Sequence, residues 1–304
     1  MIEKYLPIEV SEVIKSRLDE NRVYELRLRA NMPVCINYNG KYYYLGKNGL
    51  SDRADNAIFS SSDDVNNLVV GVSERSLYAV NNQLVNGYIT IEGGVRIGVC
   101  GETVRQDGIV KTIKDFTSVN IRFPHEIRGC GLTAYNFIKD TKLRNALIVS
   151  PPGAGKTTIL RDLCRHISKE SLNILLVDER SEIAAVCNRK NQLDVGNGVD
   201  IISNCSKSYA FEYGIRSMRP DLIVTDELIG ERDYDAVLEA CFGGVKVIAS
   251  AHASTPEELY MRKGFDKLFA SKVFSRYIFL SNRLGPGTYE NVYDGDMKCI
   301  YYAP

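Results

Sequence analysis

The chain has 304 residues, a length typical of about two domains, and its 38 Lys and Arg residues balance 38 Asp and Glu residues to a formal net charge of zero. This balance argues against a protein that bulk charge holds to nucleic acid or to an anionic membrane. No stretch approaches the ~18 apolar residues of a spanning helix, and the N-terminus lacks a secretory pattern. The eight cysteines are scattered and there are only three histidines, which argues against a disulfide framework and a histidine-rich metal site. We therefore expect a cytoplasmic protein.

The first part of the chain predicts a domain that mixes helices with antiparallel strands. Helical spacing of apolar residues covers 8–20 and 62–85. Alternation of apolar and polar residues predicts strands over 24–29, 34–38, 41–45, 88–91, 95–104, 109–113 and 119–123. Asn39-Gly40 is a strong hairpin signal, because both turn residues tolerate positive φ. We assign an N-terminal α+β domain to residues 1–123.

The second part of the chain predicts a parallel sheet. Short apolar runs separated by helix-sized segments cover 146–149, 174–177, 222–225, 245–251 and 277–280. Such runs are typical of strands that helices cover on both faces. Residues 124–143 contain a proline and two glycines, so we place a linker there and an α/β domain over 144–304. Residues 288–302 predict a small added hairpin.

The most specific motif is a glycine-rich loop between the first of these strands and an amphipathic run. It comprises Ser150, Pro151, Pro152, Gly153, Ala154, Gly155, Lys156, Thr157 and Thr158. Glycines let successive backbone N–H groups turn toward a phosphate chain, and the following helix adds the positive end of its dipole. We expect Lys156 to reach the β- and γ-phosphates and Thr157 to hold Mg²⁺. Ser150 replaces the first glycine of the usual loop, at some expected conformational cost.

A buried strand that ends in two carboxylates predicts the second half of an ATPase site. Residues 222–225 are largely apolar and lead into Asp226 and Glu227. We expect Asp226 to orient Mg²⁺ or its water, and Glu227 to position and deprotonate the attacking water. No Asn-Lys-x-Asp motif follows the phosphate loop, so the predicted nucleotide is ATP rather than GTP. The alternative interpretation is a capping or surface Asp-Glu pair.

Two further strand ends carry weaker signals. The strand 174–177 leads into Asp178, and the strand 245–251 leads into His252. Both ends are expected at the same edge of the sheet as the phosphate loop. Taken alone, surface charge after a strand and a hydrogen-bonded structural histidine explain them equally well.

Together these motifs resemble those of the ATPases of type II and type IV secretion systems. The residues that carry the resemblance are the phosphate loop, Val177–Ile183, Met218–Glu227 and Ala249–Ala253. The N-terminal part adds Glu25–Ala30, Ser76–Ala79 and Asn86–Gly98, so the similarity spans most of residues 20–262. Within that superfamily, the chain is similar to a sporulation branch of endospore-forming bacteria.

The resemblance implies roles for the acidic residues. Glu227 matches the Walker B glutamate of the secretion ATPases. Asp178 and Glu182 fall where those enzymes keep two acidic-box glutamates. Asp226 replaces a glycine that is common in the secretion branch, which leaves open whether Asp178 or Glu227 is the catalytic base.

The resemblance also implies roles for a histidine and for arginines. His252 matches the histidine-box residue, which is thought to sense the γ-phosphate. The similar proteins are hexameric rings with nucleotide bound near subunit interfaces. Arg96, Arg105 and Arg122, on the predicted N-terminal sheet, are therefore candidates for an arginine supplied by a neighbouring subunit.

The architecture implied is a RecA-like P-loop ATPase domain with a parallel-rich sheet, preceded by a smaller α+β domain. The function implied is an ATP-hydrolysing motor of a secretion-type trans-envelope complex in sporulation, between the mother cell and the forespore. Such a motor is expected to act from the mother-cell cytoplasm as a homo-hexamer, with ATP and Mg²⁺ as cofactors and no nucleic acid. An integral membrane partner is expected to hold it peripherally at the membrane.

Two other functions stay open at this point. A nucleic-acid-dependent RecA-like motor is opposed by the zero net charge, and stimulation of hydrolysis by DNA or RNA would identify it. A nucleotide-gated assembly scaffold with little turnover is favoured by the serine at position 150 and opposed by the Asp226-Glu227 pair.

Overall fold

The computed structural model describes residues 2–73, 80–187 and 189–303. The chain divides into two compact units, of which the first comprises Met1–His125 with Cys187–Gln192, and the second comprises Glu126–Val186 with Leu193–Pro304. The segment Ser76–Ala79, part of the family resemblance, lies outside the described residues. Among the described helices, none is both long enough and apolar enough to span a membrane.

The first unit is an α+β fold. Its helices are α1 (Ile8–Arg17), α2 (Ser62–Val72) and α3 (Asn81–Val85). Its strands are β1 (Val23–Arg29), β2 (Met32–Pro33), β3 (Cys35–Tyr38), β4 (Lys41–Gly46), β5 (Gly49–Ser51), β6 (Phe59–Ser60), β7 (Tyr88–Thr90), β8 (Arg96–Gln106) and β9 (Ile109–Arg122). Short 3₁₀ turns cover Ile2–Tyr5, Glu20–Arg22, Ala54–Asn56 and Glu92–Gly94.

Seven of these strands form one antiparallel sheet in the order β5-β4-β3-β1-β9-β8-β7. The hairpin predicted at Asn39-Gly40 is confirmed, since φ is 53° and 86° at the two residues and they join β3 to β4. Alternation along β1 puts Leu26 and Leu28 in a core shared with α1 and α2. The helical pattern predicted over 62–85 is present as α2 and α3, with residues 74–79 between them outside the described residues.

The second unit alternates strands with helices. Its helices are α4 (Leu132–Ile138), α5 (Lys156–Ile167), α6 (Lys207–Met218), α7 (Glu231–Phe242), α8 (Pro256–Tyr260) and α9 (Phe265–Ala270). Its strands are β10 (Ala146–Ser150), β11 (Ile174–Asp178), β12 (Val199–Ser203), β13 (Leu222–Glu227), β14 (Lys246–His252), β15 (Arg276–Ser281), β16 (Thr288–Asp294) and β17 (Cys299–Tyr302).

The strands of the second unit form one sheet in the order β12-β11-β13-β14-β10-β15-β16-β17. The first six are parallel, while β16 and β17 add the antiparallel hairpin predicted over 288–302. Leu147 and Val149 of β10 pack in one core with α6 and α7, and Ala146 and Ile148 pack in another core with α4 and α5. The sheet is therefore buried on both faces, as its apolar strands predict.

The strand order decides which side chains can meet. β14 lies between β10, which leads into the phosphate loop, and β13, which ends at Glu227. β14 itself ends at His252, and its last residue pairs with Ser150 of β10. The histidine is thus placed between the phosphate loop and the acidic end of β13.

The segment predicted as a linker, 124–143, is different in the structure. It contains α4, whose Ala134 and Ile138 are buried in the same core as α5. The N–H of Gly131 donates to the Asp162 carboxylate on α5 at 2.7 Å. Most of this segment therefore belongs to the second unit, because its apolar residues at helical spacing pack there. In the other direction, Cys187–Gln192 lies in the second part of the chain but belongs to the first unit.

Candidate functional site

The phosphate loop connects β10 to α5 by a turn that needs glycine at two positions. Gly153 and Gly155 have left-handed φ values of 74° and 83°. Ser150 lies outside the left-handed region, so serine fits there without the conformational cost expected from the sequence. Because α5 begins at Lys156, the N–H groups of its first turn lack intrahelical acceptors and are available to an anion. The other predicted loop residues lie in this turn or at the start of α5: Pro151, Pro152, Ala154, Thr157 and Thr158.

Lys156 is buried and turned back onto the strand that precedes the loop. Its Nζ donates to the carbonyl oxygen of Ser150 at 3.2 Å, to the hydroxyl of Ser150 at 3.1 Å and to the carbonyl oxygen of Pro151 at 3.4 Å. A fourth contact joins Nζ to His252 Nδ1 at 2.7 Å. Burial lowers the pKa of Lys156 to about 8, against the opposing charge of Glu227. The Lys156 ammonium is therefore held at the loop by neutral oxygen and nitrogen acceptors.

His252 connects this lysine to Glu227. Nδ1 of His252 lies between Lys156 Nζ and the carbonyl oxygen of Ser150, which is 3.2 Å away. A charged ammonium can only donate, so beside it Nδ1 is assigned as the acceptor and the ring proton as lying on Nε2. Nε2 is 3.3 Å from Oε2 of Glu227. The three side chains form a continuous contact chain from the phosphate loop to the end of β13.

Two arginines also reach Glu227. Arg180 Nη1 lies 3.5 Å from Oε2, and Arg262 Nη2 lies 4.0 Å from Oε1. Arg262 is anchored by donating from Nη1 to the carbonyl oxygen of Leu228 at 2.9 Å. The Glu227 side chain keeps 17% of its surface exposed. Its carboxylate is thus surrounded by cationic and polar side chains but stays open to a small molecule.

Asp178 is placed quite differently. It is fully buried, and its two oxygens accept the backbone N–H groups of Glu182 at 2.8 Å, Ile183 at 3.1 Å and Ala184 at 2.9 Å. Arg161 of α5 donates to the carbonyl oxygens of Glu182 and Ile183 at 2.7 and 2.6 Å. The turn after β11 is therefore fixed through its N–H groups by Asp178 and through its carbonyls by Arg161. Three backbone N–H groups thus occupy both oxygens of the buried Asp178 carboxylate.

Asp226 has a buried lysine as its partner. Nζ of Lys207, the first residue of α6, lies 2.7 Å from Asp226 Oδ1 and 2.5 Å from Glu179 Oε2. Burial lowers the pKa of Lys207, but the two carboxylates raise it by more, so the net shift is upward. Burial also raises the pKa of Asp226 to about 6, against the lowering effect of Lys207.

Two of these residues fit a Mg²⁺ ion. Thr157 is half-buried in the first turn of α5, directly after Lys156. Both carboxylate oxygens of Asp226 are buried and have no hydrogen-bond partner among the described residues, and only Oδ1 lies beside the Lys207 ammonium. A metal-bound water would satisfy such an oxygen. Mg²⁺ needs few protein ligands, because it keeps several waters and takes others from phosphate.

The candidate arginines of the N-terminal part all belong to the first unit. The Arg96 guanidinium lies 3.7 Å from the centroid of the Tyr88 ring. Arg122 Nε lies 3.4 Å from Oε1 of Glu25. Arg105 lies near the β8–β9 turn, opposite Val110. Their role in phosphoryl transfer stays a prediction from the family resemblance.

Sequence reasoning missed Lys207, Arg180 and Arg262. Arg180 follows an acidic strand end by two residues, which is a usable signal for proximity to the site. Lys207 and Arg262 come from segments whose approach depends on packing of α6 and of the turn after α8. No local motif marks either residue, so only the fold brings them to the carboxylates.

The fold and site define a class. The chain is an α/β protein with a RecA-like ATPase fold and a smaller N-terminal α+β unit. A structure of the pilus retraction motor PilT with bound ADP matches at a TM-score of 0.57 and 17% identity, over 89% of this chain and 76% of that chain. The ATPase DotB of Yersinia pseudotuberculosis matches at a TM-score of 0.55 and 12% identity, over 85% of this chain and 71% of that chain.

The sequence comparison assigns the chain to a family within that class. The family model described as Sporulation stage III, protein AA matches residues 1–300. Stage III sporulation protein AA of Bacillus subtilis (strain 168) is 35% identical over 277 residues, which cover 90% of this chain and 87% of that protein. The chain belongs to this sporulation family.

Proposed function

We propose that this protein hydrolyses ATP to ADP and phosphate, with Glu227 as the general base. The observation that carries the proposal is the contact chain from Lys156 through His252 to Glu227, built on the glycine turn of the phosphate loop. It joins a group that can bind the β- and γ-phosphates to a carboxylate that can take a proton from water. The likeness to PilT and DotB supports the same class of reaction.

The contacts of Lys156 and His252 indicate how the site would bind a nucleotide. Loop N–H groups would bind the phosphate chain, and Lys156 would exchange the carbonyl oxygens of Ser150 and Pro151 for phosphate oxygens. His252 would then lose its donor at Nδ1 while Nε2 keeps its contact with Glu227. This makes His252 the residue through which the base responds to the phosphates. Bound Mg²⁺, held by Thr157 and Asp226, would neutralise charge on the phosphates.

Glu227 is preferred to Asp178 as the base on the grounds of free lone pairs. The acceptors of Asp178 are used by the amides of residues 182–184. Glu227 has side-chain partners that can reorient, and part of its surface is exposed. Proton transfer requires a base that reaches the attacking water directly.

The wider role follows from the family. We propose that the enzyme is the motor of a trans-envelope complex in sporulation, working from the mother-cell cytoplasm. In this proposal it assembles as a homo-hexamer and is held at the membrane by an integral partner. Arg96, Arg105 or Arg122 would complete a neighbouring subunit's site, because phosphoryl transfer gains from an added arginine.

The direct test is Glu227→Gln, which keeps shape and removes the proton acceptor. We expect ATP hydrolysis to fall ~10²–10⁴-fold while binding of a fluorescent ATP analogue stays within about threefold of wild type. Glu239→Gln, an exposed glutamate of α7, is the matched control and should keep full activity. Near-full hydrolysis by Glu227→Gln together with loss of hydrolysis in a folded Asp178→Asn variant would reassign the base to Asp178.

A further inference from the structure

Four carboxylates meet at the ends of two neighbouring strands. β11 and β13 pair in parallel with Val177 opposite Thr225, so the acidic residues at the carboxyl ends of the two strands come side by side. Asp178 is balanced by backbone amides, and Glu227 is balanced by His252, Arg180 and Arg262. The remaining two, Asp226 and Glu179, share one cation from a third element.

That cation is Lys207, and its burial is unusual for a lysine. Only 2% of its side chain is exposed, and its Nζ lies within 2.7 Å of both Asp226 and Glu179. It is the first residue of α6, so it reaches the carboxylates from outside the two strands. Its ion pair with Asp226 is made to Oδ1, and neither of the two buried carboxylate oxygens has a hydrogen-bond partner among the described residues.

We propose that Lys207 is a positioning residue of the hydrolytic site, which holds Asp226 so that Oδ2 is presented to the Mg²⁺–nucleotide. The inference rests on the proposed function. By binding Glu179 at the same time, Lys207 also fixes the residue next to Arg180, and Arg180 contacts Glu227. One buried ammonium therefore orients both the metal-side carboxylate and a partner of the base.

A role in stability alone does not explain well why Lys207 is buried between two carboxylates. Taking a lysine and two carboxylates out of water costs much of what their attraction returns, and apolar residues of the same volume often serve as well. A fixed charge beside a phosphate site has another use, because it keeps neighbouring carboxylates from repelling each other before ligand binds. The expected consequence is a specific effect on Mg²⁺ and on turnover, with little effect on metal-free nucleotide binding.

The test compares Lys207→Met, which keeps length and removes charge, with Lys207→Arg, which keeps charge. Lys246→Met is the matched control, since Lys246 is an exposed lysine at the opposite end of the same sheet. For each full-length variant, the affinity of a fluorescent ADP analogue is measured against Mg²⁺ concentration, and kcat and KM for ATP are measured separately. Thermal unfolding reports whether each variant folds.

For Lys207→Met we expect metal-free affinity within threefold of wild type. The Mg²⁺ concentration that gives half of the metal effect should rise at least fivefold, and kcat should fall 10- to 100-fold with KM changed less. Lys207→Arg should stay within threefold of wild type in both assays. In an Asp226→Asn background, Lys207→Met should raise the Mg²⁺ requirement no further.

A Lys207→Met protein that is folded, with unchanged Mg²⁺ dependence and unchanged kcat, overturns the proposal. If that variant does not fold, Lys207→Gln replaces it, since an amide can still donate to one carboxylate, and the same rise in Mg²⁺ requirement is expected. The ADP-binding arm needs no turnover. A wild-type protein that binds Mg²⁺ and nucleotide but never hydrolyses ATP would refute the proposed function and leave the role of Lys207 to be decided by binding.

Discussion

The ends of β11 and β13 have similar sequences and very different surroundings. Asp178 ends β11 and is enclosed by the backbone N–H groups of the following turn. Glu227 ends β13, and its carboxylate contacts the side chains of His252, Arg180 and Arg262, of which His252 links it to the phosphate loop. An acidic strand end can therefore serve catalysis when its lone pairs are held by groups that can move. It serves the fold when the backbone of its own turn uses them.

The largest expected effect is on ATP hydrolysis and concerns the partly exposed Glu227 at the end of β13. If a neighbouring subunit completes the Glu227 site, specific activity should rise steeply with protein concentration, because an added arginine is worth ~10³–10⁵-fold in other systems. Hydrolysis and sedimentation measured on the same samples test this. A monomer as active per subunit as the assembled protein would contradict it.

Mixing variants sharpens the same prediction. Subunits with Arg96→Ala, Arg105→Ala or Arg122→Ala are each combined with Glu227→Gln subunits, which are expected to be inactive alone. Mixed interfaces pair an intact base with an intact arginine, so some activity should return. Only the arginine that acts between subunits should give this recovery, and the other two serve as controls.

The closed β11 end predicts a large effect on stability. Asp178→Asn removes the charge and replaces one acceptor by a donor, so buried N–H groups of residues 182–184 lose their partner. We expect the free energy of unfolding to fall by about 3 kcal/mol, whereas Glu227→Gln should change it by under about 0.5 kcal/mol. Urea unfolding followed by circular dichroism measures both. Equal stability of the two variants would remove the contrast between the strand ends.

Arg161 offers a way to weaken the same turn from its carbonyl side. Arg161→Leu leaves the carbonyl oxygens of Glu182 and Ile183 without their donor, and should cost about 2 kcal/mol of unfolding free energy. Because Arg161 and Asp178 support one turn, the double variant should lose less than the sum of the two single losses. Strict additivity in the same urea assay would mean that the two residues act independently.

The smallest predicted effect is a pH dependence on the β13 side. Burial lowers the pKa of Lys156 to about 8, so the free protein loses this charge as pH rises through that value. Phosphate favours the charged form and raises the pKa in the complex, so binding takes up a proton above pH 8. Metal-free affinity for a fluorescent ATP analogue should fall about tenfold between pH 7 and pH 9. Lys156→Arg stays charged over this range and should show a flatter profile.

Local sequence patterns predicted most of the strands and helices of the fold. The Asn39-Gly40 hairpin and the apolar runs of the parallel sheet depend on neighbouring residues, and both are present in the structure. The alternating strands are present too, except that the two strands predicted over 109–113 and 119–123 are one continuous strand, β9. The linker predicted over 124–143 is the clearest difference. Its glycines and proline are signals of chain breaks, but burial of Ala134 and Ile138 against α5 produced a helix there.

What the sequence by itself determined was the set of reactive groups near the phosphate loop. A glycine turn, a lysine at a helix start and acidic residues after apolar strands have consequences that spacing along the chain dictates. Tertiary structure alone decided what each carboxylate contacts. Whether an oxygen accepts a backbone N–H, as in Asp178, or a lysine from α6, as in Asp226, depends on elements distant in sequence. Strand order and helix packing set those distances, and the energy of a buried charge depends on its partners within a few ångströms.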